Sequence, residues 1–337
     1  MKYDANSILA LLNGSEGKEE LFRRAQQARA AHFGNKVFAY GFNYFSTYCV
    51  NHCTFCYYRS SNAQALRYRN DPRQVVEDAK RLASSGVHLI DLTMGEDPYY
   101  RSHPKRLADL ISDVSAACEL PVMISPGVIE AEQLELLKQA GAVWFALYQE
   151  TFVKEAYERL RIGQDFDRRL EIKREAVQRG LLLEEGILTG WGESQKQVAD
   201  SLANMDQARP SQVRVMTFVP QKGTPLEGRT PANSDRELQI IAVMRLLYPH
   251  KLIPASLDVE GPRGLEARLN AGANVITSLI PPASGLLGVA RNDDIEDGAR
   301  SLAHITPTIQ AAGLELASLA DYRAFIAKAQ AEGAGLG

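Results

Sequence analysis

The chain has 337 residues, of which 38 are Lys or Arg and 41 are Asp or Glu, so its formal net charge is −3. Apolar residues make up 45% and charged residues 23% of the sequence, the composition of an ordinary globular protein. No run reaches the roughly 18 apolar residues of a membrane span, and the balanced charge shows no nucleic-acid-binding surface. Because the N-terminus lacks a secretory signal and three of the four cysteines fall within eight residues, a disulfide framework is excluded and a cytoplasmic protein is expected.

Hydrophobic periodicity predicts helices and strands that alternate along most of the chain. A leading helical region over 5–32 is interrupted at Asn13-Gly14-Ser15. Strands are predicted over 36–44, 87–93, 121–125, 142–148, 181–188, 212–219, 252–257 and 274–279. Between them, helices are predicted over 71–85, 104–118, 130–140, 165–179, 194–208, 234–248 and 263–271, followed by a last pair over 293–312 and 318–332.

This alternation predicts an α/β fold, a single (β/α)8 TIM barrel with an N-terminal helical extension and C-terminal helices. The extension is assigned to 1–35, the barrel to 36–332, and a disordered tail to 333–337. Most predicted strands are continuous apolar runs, as expected where helices cover the outside of a parallel sheet. An open doubly wound sheet is the alternative, although no G-x-G-x-x-G motif follows the first strand.

Three cysteines carry most of the functional information. Cys49, Cys53 and Cys56 form a C-x3-C-x2-C pattern just after the first predicted strand, at the face of a barrel where active sites lie. Three thiolates can bind three irons of a [4Fe–4S] cluster and leave the fourth iron open, whereas structural clusters normally have four cysteine ligands. The alternatives are a zinc site with His52 as fourth ligand, or cysteines without a common role. Zinc ligands usually come in two separated pairs, which favours the cluster.

Cys118 is predicted to be a buried apolar side chain.

The motif resembles that of the radical S-adenosylmethionine (SAM) superfamily, in which an aromatic residue, here Phe55, precedes the last cysteine. The resemblance extends along the barrel: Met94-Gly95-Glu96 is similar to the family's GGE-like motif, with Met in place of the first Gly, and the stretch 186–193 is similar to an adenosine-contacting segment. It implies that SAM is a cofactor, with Glu150 at its ammonium group and Arg169 at its carboxylate. For each charge alone, a surface position near a helix end is the alternative. The full set of SAM contacts implied in this way is Phe55, Tyr58, Gly95, Glu96, Glu150, Arg169 and Leu188.

Charged residues within predicted strands suggest what fills the barrel. Arg214 lies in the middle of the sixth strand, Asp91 interrupts the second, and Ser256 and Asp258 share one side at the end of the seventh. A charge inside a barrel is costly unless it is paired. One cation and two carboxylates complement a molecule with one carboxylate and two ammonium groups, such as lysine. The alternative is that Arg214 pairs with one of these aspartates and binds nothing.

Within the superfamily, segments 219–226 and 269–274 resemble the biotin synthase-like group, but one spare cysteine cannot supply the second cluster of biotin synthase itself. Asp91, Arg214, Ser256 and Asp258 match the amino-acid-binding residues of the methylornithine synthases of pyrrolysine biosynthesis. This resemblance implies a mutase that isomerises L-lysine to (3R)-3-methyl-D-ornithine. The steps it implies are formation of a 5′-deoxyadenosyl radical, Cα–Cβ fragmentation of lysine, and recombination.

The resemblance also implies an external one-electron donor, which the sequence does not identify. It implies no partnership with nucleic acid or membrane.

Two other functions stay open. The chain could be another biotin synthase-like or hydrogenase-maturase-like radical SAM enzyme that acts on a different amino acid. From a different class, it could be an iron–sulfur or zinc protein without catalytic turnover.

Overall fold

A computed structural model describes residues 3–281 and 300–334. The chain begins with two helices, α1 (Ala5–Leu12) and α2 (Lys18–Phe33), that lie against the outside of the barrel. Asp4 caps α1 because its carboxylate accepts a hydrogen bond from the Ser7 amide at 2.8 Å. The apolar faces of both helices are buried, as the periodicity predicts.

Parallel strands form the central sheet, and helices connect them. The strands are β1 (Lys36–Ser46), β2 (Leu89–Met94), β3 (Val122–Ser125), β4 (Ala142–Ala146), β5 (Leu182–Thr189), β6 (Gln212–Thr217), β7 (Pro254–Ser256) and β8 (Val275–Leu279). The helices that follow α2 are α3 (Pro72–Ser84), α4 (Pro98–Ser102), α5 (Pro104–Cys118), α6 (Ala131–Gln139), α7 (Lys154–Leu160), α8 (Phe166–Gln178), α9 (Gln195–Asn204), α10 (Ser234–Leu247), α11 (Leu265–Asn270), α12 (Leu302–Ala311) and α13 (Leu319–Ala334). A short β9 (Glu315–Leu316) pairs with the start of β1.

The sheet is a nearly closed barrel. Its strand order is β6-β5-β4-β3-β2-β1-β8-β7. One parallel bridge, between Gln212 and Leu252, joins its two edges, where the Val213 amide donates to the Leu252 carbonyl at 3.0 Å. The predicted (β/α)8 barrel is confirmed and the open-sheet alternative is wrong. Among the described residues, no helix is both long and apolar enough to span a membrane.

The differences from the predicted elements concern short or terminal segments. Helices α4 and α7 were not predicted, because five to seven residues are too few for a periodic signal. Helix α12 begins at Leu302, later than predicted, since the Ser301 side chain caps it; residues 293–299 of the prediction lie outside the described residues. Helix α13 continues through Ala334, past the predicted start of the tail, and residues 335–337 also lie outside the described residues.

The interior of the barrel is filled at the N-terminal ends of its strands. Along β1, Phe38, Tyr40, Phe42 and Tyr44 belong to the inner apolar cluster, while the alternate residues face the helices. Tyr322 of α13 reaches this cluster, and its hydroxyl lies 2.8 Å from that of Tyr40. Aromatic side chains therefore fill the interior of the barrel at this end.

Candidate active site

One cavity of about 240 Å³ lies at the C-terminal ends of the strands. Every site residue predicted from the sequence contributes to its lining: Cys49, Cys53, Phe55, Cys56, Tyr58, Asp91, Gly95, Glu96, Glu150, Arg169, Leu188, Arg214, Ser256 and Asp258. The fold therefore brings together residues that come from most of the strands.

The cysteine loop is fixed to the end of β2 by backbone hydrogen bonds. The Gly95 amide donates to the Ser46 carbonyl at 3.1 Å, and the Val50 amide donates to the Glu96 carbonyl at 3.1 Å. A side chain at Gly95 would place its Cβ 2.3 Å from the Tyr48 carbonyl oxygen. Glycine is therefore required for the loop to approach this closely.

The three thiols of the loop are free and lie at the wall of the cavity. Cys53 is buried, and Cys49 and Cys56 are partly exposed. The Cys53 sulfur accepts from Nε2 of Gln164 at 3.0 Å and Nη1 of Arg161 at 3.6 Å. Burial raises the pKa of the Cys49 thiol to about 11 and also raises that of Cys56. A bound cation acts in the opposite direction, since a coordinating thiol is deprotonated.

The geometry around His52 disfavours the zinc alternative. The His52 ring is exposed, and its Nδ1 lies 3.3 Å from the Ser61 hydroxyl. In the described ranges, no three His, Cys, Asp or Glu side chains converge closely enough to hold one metal ion. Cys118, predicted to be buried, is only partly buried: it is the last residue of α5 and packs at the edge of the core.

Glu150 lies at a strained position between β4 and β5. Its φ is 67°, and its amide donates to the Gly186 carbonyl at 3.0 Å while its carbonyl accepts from the Leu188 amide at 2.9 Å. One carboxylate oxygen accepts from Arg161 Nη2 at 2.5 Å. The other, Oε2, is buried without a hydrogen-bond partner among the described residues. A buried orphan carboxylate oxygen at a cavity wall indicates a missing donor.

Arg169 lies in the first turn of α8 and is buried beside the same wall. Its Nε donates to the Tyr148 carbonyl at 2.8 Å, and its Nη1 donates to Gln164 Oε1 at 3.2 Å and lies 3.6 Å from Glu96 Oε1. Burial lowers its pKa. Glu96 fills the space over Gly127, where a Cβ would come within 1.9 Å of the Glu96 Cγ. These contacts hold the Arg169 guanidinium and the Glu96 carboxylate close to the cysteine loop.

Arg214 projects from β6 into the barrel, as predicted, but its partner is one that the sequence did not indicate. Its Nε donates to Glu184 Oε1 at 2.7 Å, and both side chains are buried. Its guanidinium lies 5.6 Å from the Tyr148 ring centroid and 5.9 Å from that of Phe42. The internal partner of Arg214 is therefore Glu184, and not one of the two aspartates that the alternative gave it. Nη2 of Arg214 has no hydrogen-bond partner within the described part of the chain.

Asp91 is buried in the middle of β2 and has few partners. Its Oδ1 accepts from the Thr93 hydroxyl at 2.9 Å. Burial, reinforced by the nearby Glu184 carboxylate, raises the pKa of Asp91 to about 8, although Arg214 acts in the opposite direction. Asp91 is therefore largely protonated near neutral pH in the ligand-free protein.

Asp258 accepts several hydrogen bonds at the other side of the cavity. The Tyr44 hydroxyl and Nη1 of Arg300 donate to its Oδ1 at 2.9 and 2.8 Å. The hydroxyls of Ser278 and Ser256 lie 2.7 and 3.3 Å from its Oδ2. Its charge is therefore paired with that of Arg300.

Some of these partners could have been found from the sequence. Glu184 and Glu185 are consecutive acids in an otherwise apolar strand, so the period of two places one of them inside the barrel. Glu185 faces outward and pairs with buried Lys173. For Arg161 and Arg300 there was no such signal, because both lie outside the strands.

Comparison with known proteins agrees with this geometry. A family model described as the radical SAM superfamily matches residues 43–204. The 3-methylornithine synthase of Methanosarcina barkeri is 45% identical over 324 residues, which cover 96% of this chain and 92% of the relative. A crystal structure of methylornithine synthase (PylB) superposes with a TM-score of 0.91 at 45% identity, covering 96% of this chain and 97% of that one. The [FeFe] hydrogenase maturase subunit HydE of Thermotoga maritima is 30% identical over 268 residues, 79% of this chain and 76% of its own.

The closed barrel, its cysteine loop and the matching superfamily model define a radical SAM enzyme, with a [4Fe–4S] cluster and SAM as cofactors. The similarity to 3-methylornithine synthases covers almost the whole chain and therefore identifies a narrower family than the superfamily. The chain belongs to the 3-methylornithine synthase family.

Proposed function

We propose that this chain isomerises L-lysine to (3R)-3-methyl-D-ornithine. The observation that carries the proposal is the arrangement of Arg214, Asp91 and Asp258 in the same cavity as the cysteine loop. That cavity offers an unpaired guanidinium nitrogen and two carboxylates to a ligand with one carboxylate and two ammonium groups. Membership of the 3-methylornithine synthase family supports the same reaction.

In this proposal Cys49, Cys53 and Cys56 hold the cluster. Three soft sulfur donors on one cavity wall fit a cluster that keeps one iron free of protein ligands. When bound, the cluster and SAM would supply the 5′-deoxyadenosyl radical chemistry that exchanges a hydrogen atom with lysine. The protein excludes water from the cavity and keeps the reactants in position.

The zwitterionic end of SAM is assigned to the wall formed by Glu150 and Arg169. The orphan Oε2 of Glu150 is an acceptor for an ammonium group, and Arg169 supplies the matching cation for a carboxylate. Gly95 lets the cysteine loop approach this wall, and Gly127 makes room for the Glu96 side chain beside Arg169. The remaining contacts are assigned to Phe55, Tyr58, Gly95, Glu96 and Leu188, which line the same cavity.

Lysine is assigned to the opposite wall. Nη2 of Arg214 meets the carboxylate, and the ammonium groups meet Asp91 and the pair of Ser256 and Asp258. When the Cα–Cβ bond breaks, one fragment keeps the carboxylate and the α-amino group, and the other keeps the side-chain amine. Anchors for charges at both ends hold the two fragments until the new Cα–Cγ bond forms. No general acid or base is needed.

The proposal includes an external one-electron donor, because reductive cleavage of SAM consumes an electron that the amino acid does not supply. It includes no nucleic-acid partner, in agreement with the balanced charge of the chain. A reducing, cytoplasmic compartment is proposed because all four cysteines are free thiols.

Lysine affinity is expected to increase with pH up to about 8. The Asp91 carboxyl, whose pKa is raised to about 8, is neutral below that pH, whereas pairing with an ammonium group requires its charged form. Binding below pH 8 must therefore release a proton, and the Kd is expected to rise about tenfold for each pH unit below 8. Calorimetric titrations with lysine between pH 6 and 8, in buffers of different ionisation enthalpy, measure both the affinity and the released proton.

The Asp91→Asn variant provides the control for this pH dependence. It cannot ionise, so its weaker lysine affinity is expected to be independent of pH over this range. A pH slope that persists in Asp91→Asn would assign the titration to another group and contradict the role of Asp91.

The test of the function is a turnover experiment with anaerobically reconstituted protein, SAM, dithionite and 13C-labelled L-lysine. The product is an isomer of its substrate, so NMR rather than mass must detect it. A new methyl resonance is the expected result, and a reaction without SAM is the control. Unchanged lysine together with released 5′-deoxyadenosine would show radical SAM chemistry on a different substrate and would contradict the assignment of lysine.

A further inference from the structure

We propose that Glu184 is a positioning residue that orients Arg214 and thereby makes the cavity selective for ligands that carry a carboxylate. The inference rests on the proposed function, because it takes Arg214 as the group that meets the substrate carboxylate. Glu184 itself does not line the cavity. It acts through the arginine.

Three donors fix the Glu184 carboxylate from different directions. Nε of Arg214 donates to Oε1 at 2.7 Å, and Nε2 of Gln212 donates to the same oxygen at 2.5 Å. The Tyr148 hydroxyl donates to Oε2 at 2.7 Å. Glu184 is fully buried, and it is paired in register with Gln212 across β5 and β6. Two of the donors thus come from β6, and the third comes from the loop after β4.

The fixed carboxylate determines which edge of Arg214 faces the cavity. A guanidinium is planar, so a hydrogen bond at Nε and flanking rings from Tyr148 and Phe42 leave its plane little freedom. Nη2 is then a buried guanidinium nitrogen without a hydrogen-bond partner in the described structure. Burial alone would lower the pKa of Arg214, but the Glu184 carboxylate, together with Tyr148 and Asp91, outweighs that effect and raises it. Arg214 is therefore charged and already oriented before a ligand arrives.

Glu184 also sets the charge balance of this end of the cavity. It neutralises Arg214, just as Asp258 and Arg300 neutralise each other. At this end of the cavity, Asp91 is the carboxylate without a cationic hydrogen-bond partner among the described residues. Since Arg214 cancels Glu184 and Arg300 cancels Asp258, ionised Asp91 leaves these groups with a net charge of about −1. Lysine, with two ammonium groups and one carboxylate, carries the complementary charge.

The experiment compares L-lysine with cadaverine, which has both ammonium groups of lysine and no carboxylate. Binding of each is measured by calorimetry on the reconstituted holoprotein with SAM, for the wild type and Glu184→Gln. The preference of the wild type for lysine over cadaverine is expected to fall at least about tenfold in Glu184→Gln, because a misaligned charge-assisted hydrogen bond is lost only for lysine. Equal weakening of both ligands would overturn the proposal, since a purely structural role affects them alike.

Glu185→Gln is the matched control. Glu185 is the next residue of the same strand, is equally buried and also forms an ion pair, with Lys173, but it does not line the cavity. Its loss is expected to lower the melting temperature without changing the ratio of the two affinities. A comparable drop in the ratio for Glu185→Gln would show that any buried charge on β5 has this effect, and would contradict a specific role for Glu184.

Two further measurements keep the proposal testable if Glu184→Gln is unstable or if lysine is not the substrate. Glu184→Asp keeps the charge but shortens the reach to Arg214 Nε, and an intermediate ratio is expected. A crystal structure of the variant without ligand is expected to show the guanidinium turned from its wild-type plane. An unchanged guanidinium would overturn the proposal, whereas a wild type that does not bind lysine would overturn the proposed function.

Discussion

Replacement of Cys53 by alanine is expected to abolish the iron–sulfur cluster, and with it all turnover. Cys53 is the most buried residue of the three, and its sulfur accepts hydrogen bonds from Gln164 and Arg161. Its replacement leaves two thiolates for a cluster that needs three cysteine ligands. Iron and sulfide content, together with the EPR spectrum of the dithionite-reduced protein, measure the loss directly. Addition of SAM should perturb that spectrum in the wild type.

Cys118→Ala is the control for this experiment. Cys118 lies at the end of α5 and does not line the cavity, so its replacement should leave the iron content and the EPR spectrum unchanged. Retention of a full cluster in Cys53→Ala, or its loss in Cys118→Ala, would contradict the assignment of the three loop cysteines as the ligands. An EPR spectrum that SAM does not affect would favour an iron–sulfur protein without catalysis.

Arg214→Ala is expected to lower kcat/KM for lysine at least about a hundredfold while the cluster and SAM binding are retained. The substitution removes the cation assigned to the substrate carboxylate and also leaves the buried Glu184 without its ionic partner. Removal of one partner of a buried charge pair between protein and ligand costs about 2–5 kcal/mol of binding free energy, and about 2.7 kcal/mol corresponds to a factor of a hundred. The rate of methylornithine formation, read by NMR, measures the effect.

Arg29→Ala separates this effect from the general cost of removing a buried arginine. Arg29 is also buried, but it lies on α2, and its Nη1 donates to the Leu269 carbonyl at 2.5 Å, away from the cavity. The variant should lower the melting temperature and leave kcat/KM for lysine nearly unchanged. Normal turnover by a folded Arg214→Ala would contradict the assignment of Arg214 to the substrate carboxylate.

Local patterns predicted most of the fold and the members of the site, though not all their contacts. The alternation of apolar runs and amphipathic helices predicted the barrel, because each strand and its helix bury one continuous face. The period of two placed Arg214 inside the barrel, and the structure agrees. The same reasoning suggested an aspartate as the partner of Arg214 and overlooked Glu184. Arg214 and Glu184 lie on neighbouring strands, 30 residues apart in the chain. A strand pattern gives the side to which a residue points, but not its height relative to the next strand.

The three-cysteine loop, the strands and helices around it, and the resemblance to radical SAM enzymes could all be predicted, since each depends on residues that are close together in the chain. The pairing of the buried charges could not, because it depends on how distant segments pack together. Arg214 meets Glu184 because of the register of β5 and β6. Asp258 meets Arg300 because Arg300 lies beside the end of β8, where the Ile280 amide donates to its carbonyl at 3.0 Å. A buried charge must find a partner at low dielectric, and the partner is whichever opposite charge the fold brings within hydrogen-bond distance.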